Sequence, residues 1–243
     1  MSDESLSVIF PAFNEAENIG RSIDRALSIC SSLGLDFEII VVDDGSNDDT
    51  RRRSEEYCER DPRVRTVCHP KNIGYGAALK SGILASRGDL IFFTDADLQF
   101  DIAELEQLLA HAGKDDIIAG YRSVRSDPIV RRINAWGWGQ VVNALFDLDV
   151  LDVDCAFKVF RREVFESIPI HSVGAFVNTE ILVRSRAAGF TIKQLPVSHF
   201  PRTAGEQSGA DLKVIAKAFS ELYRLRGDLK TANEKHQGLL QVQ

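Results

Sequence analysis

Apolar positions along this chain gather into short blocks separated by longer polar stretches. Leu6 to Pro11, Phe37 to Val42 and Leu90 to Thr94 are nearly continuous apolar runs, and Ile117-Ile118-Ala119 is a shorter one. Runs of that length fit strands covered on both faces. Val64 to Val67 reads as a further strand. Between the runs lie segments of helical character. Asn14 reads as a helix N-cap, with Glu15 and Glu17 in the first turn, where the helix dipole favours acids. That helix continues through Ile19, Ile23 and Leu27 and stops at Ser31-Ser32-Leu33-Gly34. A polar helix is expected from Asp49 to Arg60, one rich in small residues from Gly74 to Ser86, and another from Ile102 to His111. Strands alternating with helices at this spacing predict an α/β fold with a mostly parallel central sheet flanked by helices.

The second half is less regular. Ile129 to Phe146 is a long amphipathic helix candidate bearing Trp136 and Trp138, which suit either a core or a bilayer surface. Cys155 to Arg161 and Phe190 to Val197 are expected strands, with a helix from Ala175 to Ala188. Leu212, Ile215, Phe219 and Leu222 form a helical stripe, so the chain divides into a main unit, 1–209, and a C-terminal amphipathic helix with a polar tail, 210–243.

Composition narrows the classes. The chain has 243 residues, 44% of them hydrophobic, enough for a substantial core. A net charge of -7 argues against nucleic acid as partner. Cys30, Cys58, Cys68 and Cys155 form no Cys-x-x-Cys pair, and the opening Met1-Ser2-Asp3-Glu4 does not read as a secretory signal. Free thiols and a cytoplasmic location are expected. No run reaches the roughly 18 apolar residues that a membrane-crossing helix needs. Membrane contact is therefore expected to be peripheral, or supplied by an anchoring partner.

Candidate chemistry concentrates at strand ends, where open parallel sheets bind ligands. Thr94-Asp95-Ala96-Asp97 leaves one strand, followed by Leu98-Gln99. Alternate residues of an extended chain point the same way, which would put Asp95, Asp97 and Gln99 on one face. Such oxygen ligands suit Mg²⁺ or Mn²⁺. Two other strand ends carry Pro11-Ala12-Phe13-Asn14-Glu15 and Asp43-Asp44-Gly45-Ser46. Converging acids of this kind call for a cation, and Asp43 or Asp44 could accept from a nucleobase or ribose. Asn72-Ile73-Gly74-Tyr75-Gly76 lacks the third glycine of a dinucleotide fingerprint, with Leu79 in its place. Those glycines are expected to let a helix pack close to the sheet or to a base. No phosphate loop of the ATPase type is present, and the acidic Asn14-Glu15-Ala16-Glu17 is unsuited to clasping a triphosphate.

Val8 to Ile19, Val41-Val42-Asp43-Asp44-Gly45-Ser46, Asn72 to Gly76 and Asp95-Ala96-Asp97-Leu98-Gln99 together resemble the family 2 glycosyltransferases, in order and in spacing. The likeness is greatest to the dolichyl- and polyprenyl-phosphate sugar transferases, of the dolichol-phosphate mannosyltransferase type, and runs from about residue 6 to 209. It implies a GT-A fold, a GDP- or UDP-linked sugar donor, a divalent metal and inversion at the anomeric carbon. It also implies that Pro11, Ala12, Asn14, Glu15, Asp43 or Asp44, Asp95 and Ala96 line the donor. Asp95, Asp97 and Gln99 would hold Mg²⁺ or Mn²⁺.

The same resemblance assigns the acceptor end. Arg122 would grip a lipid phosphate, with Arg131 or Arg132 beside it. Arg202, in Arg202-Thr203-Ala204-Gly205, would meet the donor diphosphate. The chain continues Glu206-Gln207-Ser208-Gly209, one residue longer than the family's usual run and without its lysine. Asp152 or Asp154 matches an acidic position near the sugar, and the catalytic set is Asp97, Asp154 and Arg202. An ionised lipid monophosphate needs no base, since its second pKa is ~6. A hydroxyl acceptor would need one, and Glu180 or Asp154 are the candidates. A nucleotide-sugar-binding protein without catalysis is the remaining alternative.

Overall fold

The computed structural model describes residues 4–124, 129–202 and 218–231, the side chains of 129–131 excepted. In chain order the elements are β1 (Leu6–Ala12), α1 (Ile19–Ser32), β2 (Phe37–Asp43), α2 (Thr50–Arg60), β3 (Val64–Cys68), α3 (Tyr75–Ala85), β4 (Leu90–Thr94), a 3-10 turn (Ile102–Glu104), α4 (Leu105–Leu109), β5 (Ile117–Arg122), α5 (Ile129–Phe146), β6 (Phe157–Arg161), α6 (Arg162–Ser167), α7 (Val177–Ala187) and β7 (Ile192–Val197). A last helix, α8, spans 218–231.

Seven strands make one sheet in the order β3-β2-β1-β4-β6-β5-β7. β6 is antiparallel to both of its neighbours, and every other pairing is parallel. Because it runs the other way, β6 begins where β4 and β5 end. The turn before it, Asp152 to Ala156, thus shares the sheet edge on which the parallel strands finish. The strands were legible because both faces are covered. Val8, Phe10, Ile39, Val41 and Phe92 meet α1 and α4 on one side. Ile9, Ile40, Val42, Ile91 and Phe93 meet α3, α5, α7 and α8 on the other.

Three expectations are corrected. Asn14 does not cap α1: it has φ 56°, left-handed rather than the extended backbone of an N-cap, and α1 starts four residues later behind Asn18. Glu15 and Glu17 precede the helix, so its first turn holds no acid. The expected helix from Ile102 to His111 is a 3-10 turn followed by the short α4, with Asp101 accepting from Ala103 N. α6 was not anticipated at all.

The two tryptophans of α5 divide. Trp136 is exposed, while Trp138 packs edge-on against Phe176 and Phe219 and donates to Thr179 Oγ1 at 3.3 Å. All four cysteines are free thiols. Among the described residues no helix is long and apolar enough to cross a membrane. The polar tail 232–243 and the first turns expected of the C-terminal helix, 211–217, lie outside the described residues.

Candidate active site

The exits of β1 and β2 are locked to each other. Asn14 N donates to Ser46 Oγ at 2.9 Å, and Asn14 Oδ1 accepts from Asn47 N at 2.8 Å. Gly45, at φ 69°, turns the second exit back, and a side chain there would run into the Lys71 backbone. Beside this turn lies a cavity of about 310 Å³, bordered by Phe13, Asp43, Ser46, Arg51, His69 and Lys71. Pro11 and Ala12 are buried at the end of β1.

The adjacent acids have different tasks. Asp44 is spent on its own chain: Oδ1 accepts from His69 Nδ1 at 2.7 Å and Ile73 N at 3.0 Å, and Oδ2 from Gly74 N at 2.8 Å. The other ring nitrogen of His69 meets Ser81 Oγ at 2.9 Å. Asp44 therefore ties β2, β3 and α3 together. Asp43 takes Ser46 N at 3.1 Å and remains at the cavity wall.

Residues 95–99 form a turn rather than an extended run. Gln99 N donates to Asp97 Oδ1 at 3.1 Å, and Leu98 is left-handed with φ 62°. The alternation argument for Gln99 therefore fails, because the backbone reverses before reaching it. Gln99 Nε2 donates to Phe200 O at 3.0 Å and Phe200 N donates to Gln99 O at 2.8 Å, so Gln99 ties this turn to the chain leading into Arg202. Ala96 is buried, its carbonyl accepting from Ser22 Oγ at 2.9 Å.

The acidic pair fits a divalent cation. Burial, then the neighbouring Asp97 charge, push the Asp95 carboxyl up to about 7, and Glu15 adds to the repulsion. Two crowded carboxylates of this sort are the donor set that Mg²⁺ uses, with substrate phosphates and water completing its shell. Among the described residues no three acidic, His or Cys side chains converge on one point. Asp95 and Asp97, with Gln99 Oε1 the end of that amide left available, are the set that could hold the ion.

Two arginines stand on either side. Arg202 pairs with Glu15 and lies 3.6 Å from Asp97 Oδ2. Burial raises the Glu15 carboxyl, opposed by Asn18, which donates to Oε2 at 2.8 Å, and by Arg202. Arg122, at the end of β5, holds Asp152 through two nitrogens, Nε to Oδ2 at 2.7 Å and Nη2 to Oδ1 at 2.8 Å. The Arg122 charge opposes the rise of the Asp95 carboxyl.

Other expected residues fall elsewhere. Asp154 is exposed on the turn before β6. Glu180 is buried, accepting from Ser172 N at 2.7 Å, His171 N at 3.0 Å and Arg184 Nε at 2.9 Å. Burial alone would raise its pKa, yet these donors hold it below the ordinary carboxylate value, which weakens it as a base. Arg132 is exposed in the first turn of α5, while the Arg131 side chain and Thr203 to Gly209 lie outside the described residues. Sequence reasoning missed Arg51 and Lys158. Lys158, a charge in the apolar strand Phe157-Lys158-Val159-Phe160, left a visible signal; the link from Asp44 to His69, 25 residues on, left none.

The chain is 32% identical over 207 residues to the glycosyltransferase AglD of Haloferax volcanii, covering 81% of this chain and 33% of that protein. It is 27% identical over 215 residues to the undecaprenyl-phosphate 4-deoxy-4-formamido-L-arabinose transferase of Klebsiella pneumoniae, covering 87% and 64%. The chain thus spans a third of the first relative and under two thirds of the second. Among solved structures, glucosyl-3-phosphoglycerate synthase of Mycobacterium tuberculosis, in complex with Mg²⁺ and UDP, superposes with a TM-score of 0.74 at 21% identity, covering 92% of this chain and 80% of that one. The fold is accordingly of the GT-A type. Residues 7–168 match glycosyl transferase family 2, and with most of its length so matched the chain belongs to that family.

Proposed function

We propose that this chain is an inverting, metal-dependent hexosyltransferase that moves mannose or glucose from a GDP- or UDP-linked donor to a polyprenyl or dolichyl phosphate. Its place would be the cytoplasmic face of a membrane, where such an acceptor lies, reached directly or through an anchoring partner. One observation carries the reading: a crowded acidic pair at the end of β4 is flanked by Arg202 on the Glu15 side and by the Asp152-held Arg122 on the other. Acids to hold a cation, with a separate basic group at each end, match a reaction between two phosphate-bearing substrates. The names of two neighbours add support, since glucosyl-3-phosphoglycerate synthase was solved with Mg²⁺ and UDP and the Klebsiella relative is an undecaprenyl-phosphate transferase.

In this reading the base or ribose enters the cavity beside Asp43, while Asp44 keeps its wall in shape. Asn14 and Glu15 border the donor from β1. Asp95 and Asp97, with Gln99, would hold the divalent cation, which supplies Lewis-acid neutralisation of the leaving diphosphate. Arg202 adds a second cation there. Arg122 binds the acceptor phosphate, Arg being shaped for two-point contact with such a group; Arg131 or Arg132 would assist from α5. A phosphate oxygen forms the new bond at the anomeric carbon, and the bond to the diphosphate breaks with its electron pair. Asp154 is left for a sugar hydroxyl. The tied-up carboxylate of Glu180 counts against a hydroxyl acceptor that needs that base.

The test is a transfer assay with Mn²⁺, undecaprenyl phosphate and a panel of GDP- and UDP-hexoses. Sugar should appear on the lipid phosphate. Asp97→Ala should lower kcat/KM by about 10³ or more while the fold survives. Full activity of that variant at saturating donor would overturn the metal assignment, and transfer only to hydroxyl acceptors would overturn the lipid phosphate.

A further inference from the structure

Lys158 is fully buried at the second position of β6, opposite Phe93 of β4 and Ala119 of β5. A buried lysine is costly unless its ammonium is satisfied. Here it is: Nζ donates to the carbonyls of Cys155 and of Val153, the latter at 3.2 Å, and reaches Asn178 Oδ1 at 3.4 Å. Three donors meet three acceptors, the full capacity of an ammonium. Two of those acceptors belong to the turn that carries Asp152 and Asp154, which Cys155 N closes by donating to Asp152 O at 3.3 Å. Burial lowers the Lys158 pKa, against the opposing charges of Asp152 and Asp154.

The network continues past Lys158. Asn178, on α7, is buried, and beside it sits the Tyr75 hydroxyl, out of good hydrogen-bond geometry but within reach of both Asn178 and Asp95. A strip of buried polar groups therefore runs beneath the site, from the β4 exit to the turn before β6. Ordinary packing does not account for it, since the strand neighbours of Lys158, namely Phe157, Val159 and Phe160, are apolar and fully buried. A turn of irregular backbone at a buried edge needs its inward carbonyls satisfied, and the side chain that does so also sets where the turn stands.

We infer that Lys158 is a positioning residue for the acceptor end of the site: by gathering the carbonyls of Val153 and Cys155 it holds Asp152 where Asp152 orients Arg122. Its importance for turnover rests on Arg122 binding an acceptor phosphate, as proposed above; the positioning itself does not. Removing the ammonium releases the turn, and Asp152 no longer pins the guanidinium at two points.

Two readouts separate these layers. The first is hydrogen exchange at the Arg122 Nε–H, followed by ¹⁵N NMR and assigned with Arg122→Lys. Lys158→Met, which keeps much of the volume, should speed that exchange about tenfold, because the two-point contact loosens. The second is transfer to undecaprenyl phosphate from whichever of UDP-glucose and GDP-mannose the wild type uses. Acceptor KM should rise about tenfold, with donor affinity under Mn²⁺ unchanged by calorimetry and little change in kcat. Asp152→Asn should reproduce the effect, and the double variant should be no worse than either single one. Faster exchange without a change in acceptor KM would uphold the positioning and sink the lipid-phosphate role of Arg122. Unchanged exchange in folded Lys158→Met would overturn the inference, as would fully additive losses in the double variant. Should Lys158→Met not fold, Asn178→Leu removes one acceptor and leaves the carbonyl contacts. It should speed exchange about threefold, and no change there would equally overturn the inference.

Discussion

Glu180 illustrates how an acidic side chain is made structural. Its carboxylate gathers two backbone N–H groups of the 171–172 segment and the Arg184 guanidinium, and Arg184 in turn holds Asp228 of α8 at 3.0 Å. Because its folded pKa lies below the usual carboxylate value of about 4.5, the stability it contributes is present in full above that pH and lost as pH falls through the folded value. Glu180→Gln should therefore cost about 2 kcal/mol at pH 7 and progressively less as pH is lowered through the folded pKa, measured by chemical denaturation at pH 7 and at the lowest pH at which the fold persists. Equal losses at both pH values would show that the charge is not what matters. From the sequence, Glu180 in a helix offered only a base or a surface charge. What decides its role is a loop eight residues earlier folding over it, a contact no local pattern encodes. The choice between Asp43 and Asp44 was hidden for the same reason, because it depends on His69 arriving from the neighbouring strand.

At the scale of elements, α3 was expected to come close to the sheet or to a base, and it packs tightly on the sheet. A side-chain carbon added at Gly82 would stand 2.4 Å from Ile9 Cγ2 and 3.1 Å from Val42 Cγ2. At Gly76 it would lie 2.6 Å from the Ser172 carbonyl oxygen. Gly82→Ala should lower stability by about 1–3 kcal/mol through overpacking, read as a fall in Tm, and a neutral result would mean that α3 has slack against β1. Elements with a continuous apolar face were readable to within a residue or two, as with β4 and α5. The β1 to α1 connection was not. Asn14 is a good cap by composition, but its side chain is drawn to Asn47 across the site, so the helix begins later. The 95–99 segment misled similarly, since a turn hydrogen bond to Asp97 overrides the extended geometry that alternation assumes.

For the whole molecule, the sheet order puts the site across the exits of β1, β2, β4 and β5 and the entry to β6. On the proposed reading a donor would touch segments from Pro11 to Arg202 at once, so its binding should stabilise the fold as a unit. GDP or UDP with Mn²⁺, at about 100 times the dissociation constant, should add about 2.7 kcal/mol and raise Tm visibly, with little effect from nucleotide or metal alone. No shift with any nucleotide and metal together would remove the basis for the donor site.

The order of apolar runs and the acidic turns at three strand ends were present in the sequence itself, and they sufficed for the α/β architecture and the family. Those are properties of near neighbours along the chain, where side-chain alternation and helical spacing carry the information. Tertiary structure alone decided the partners: Asp44 with His69, Glu15 with Arg202, Arg122 with Asp152, and Lys158 with the turn before it. All but the last pairing join segments 25 or more residues apart, and even Lys158 acts only because an antiparallel strand carries it into the core beside α7. A charged side chain takes whatever complementary group the folded backbone brings within about 3 Å, and that distance is set by the packing of elements rather than by sequence order.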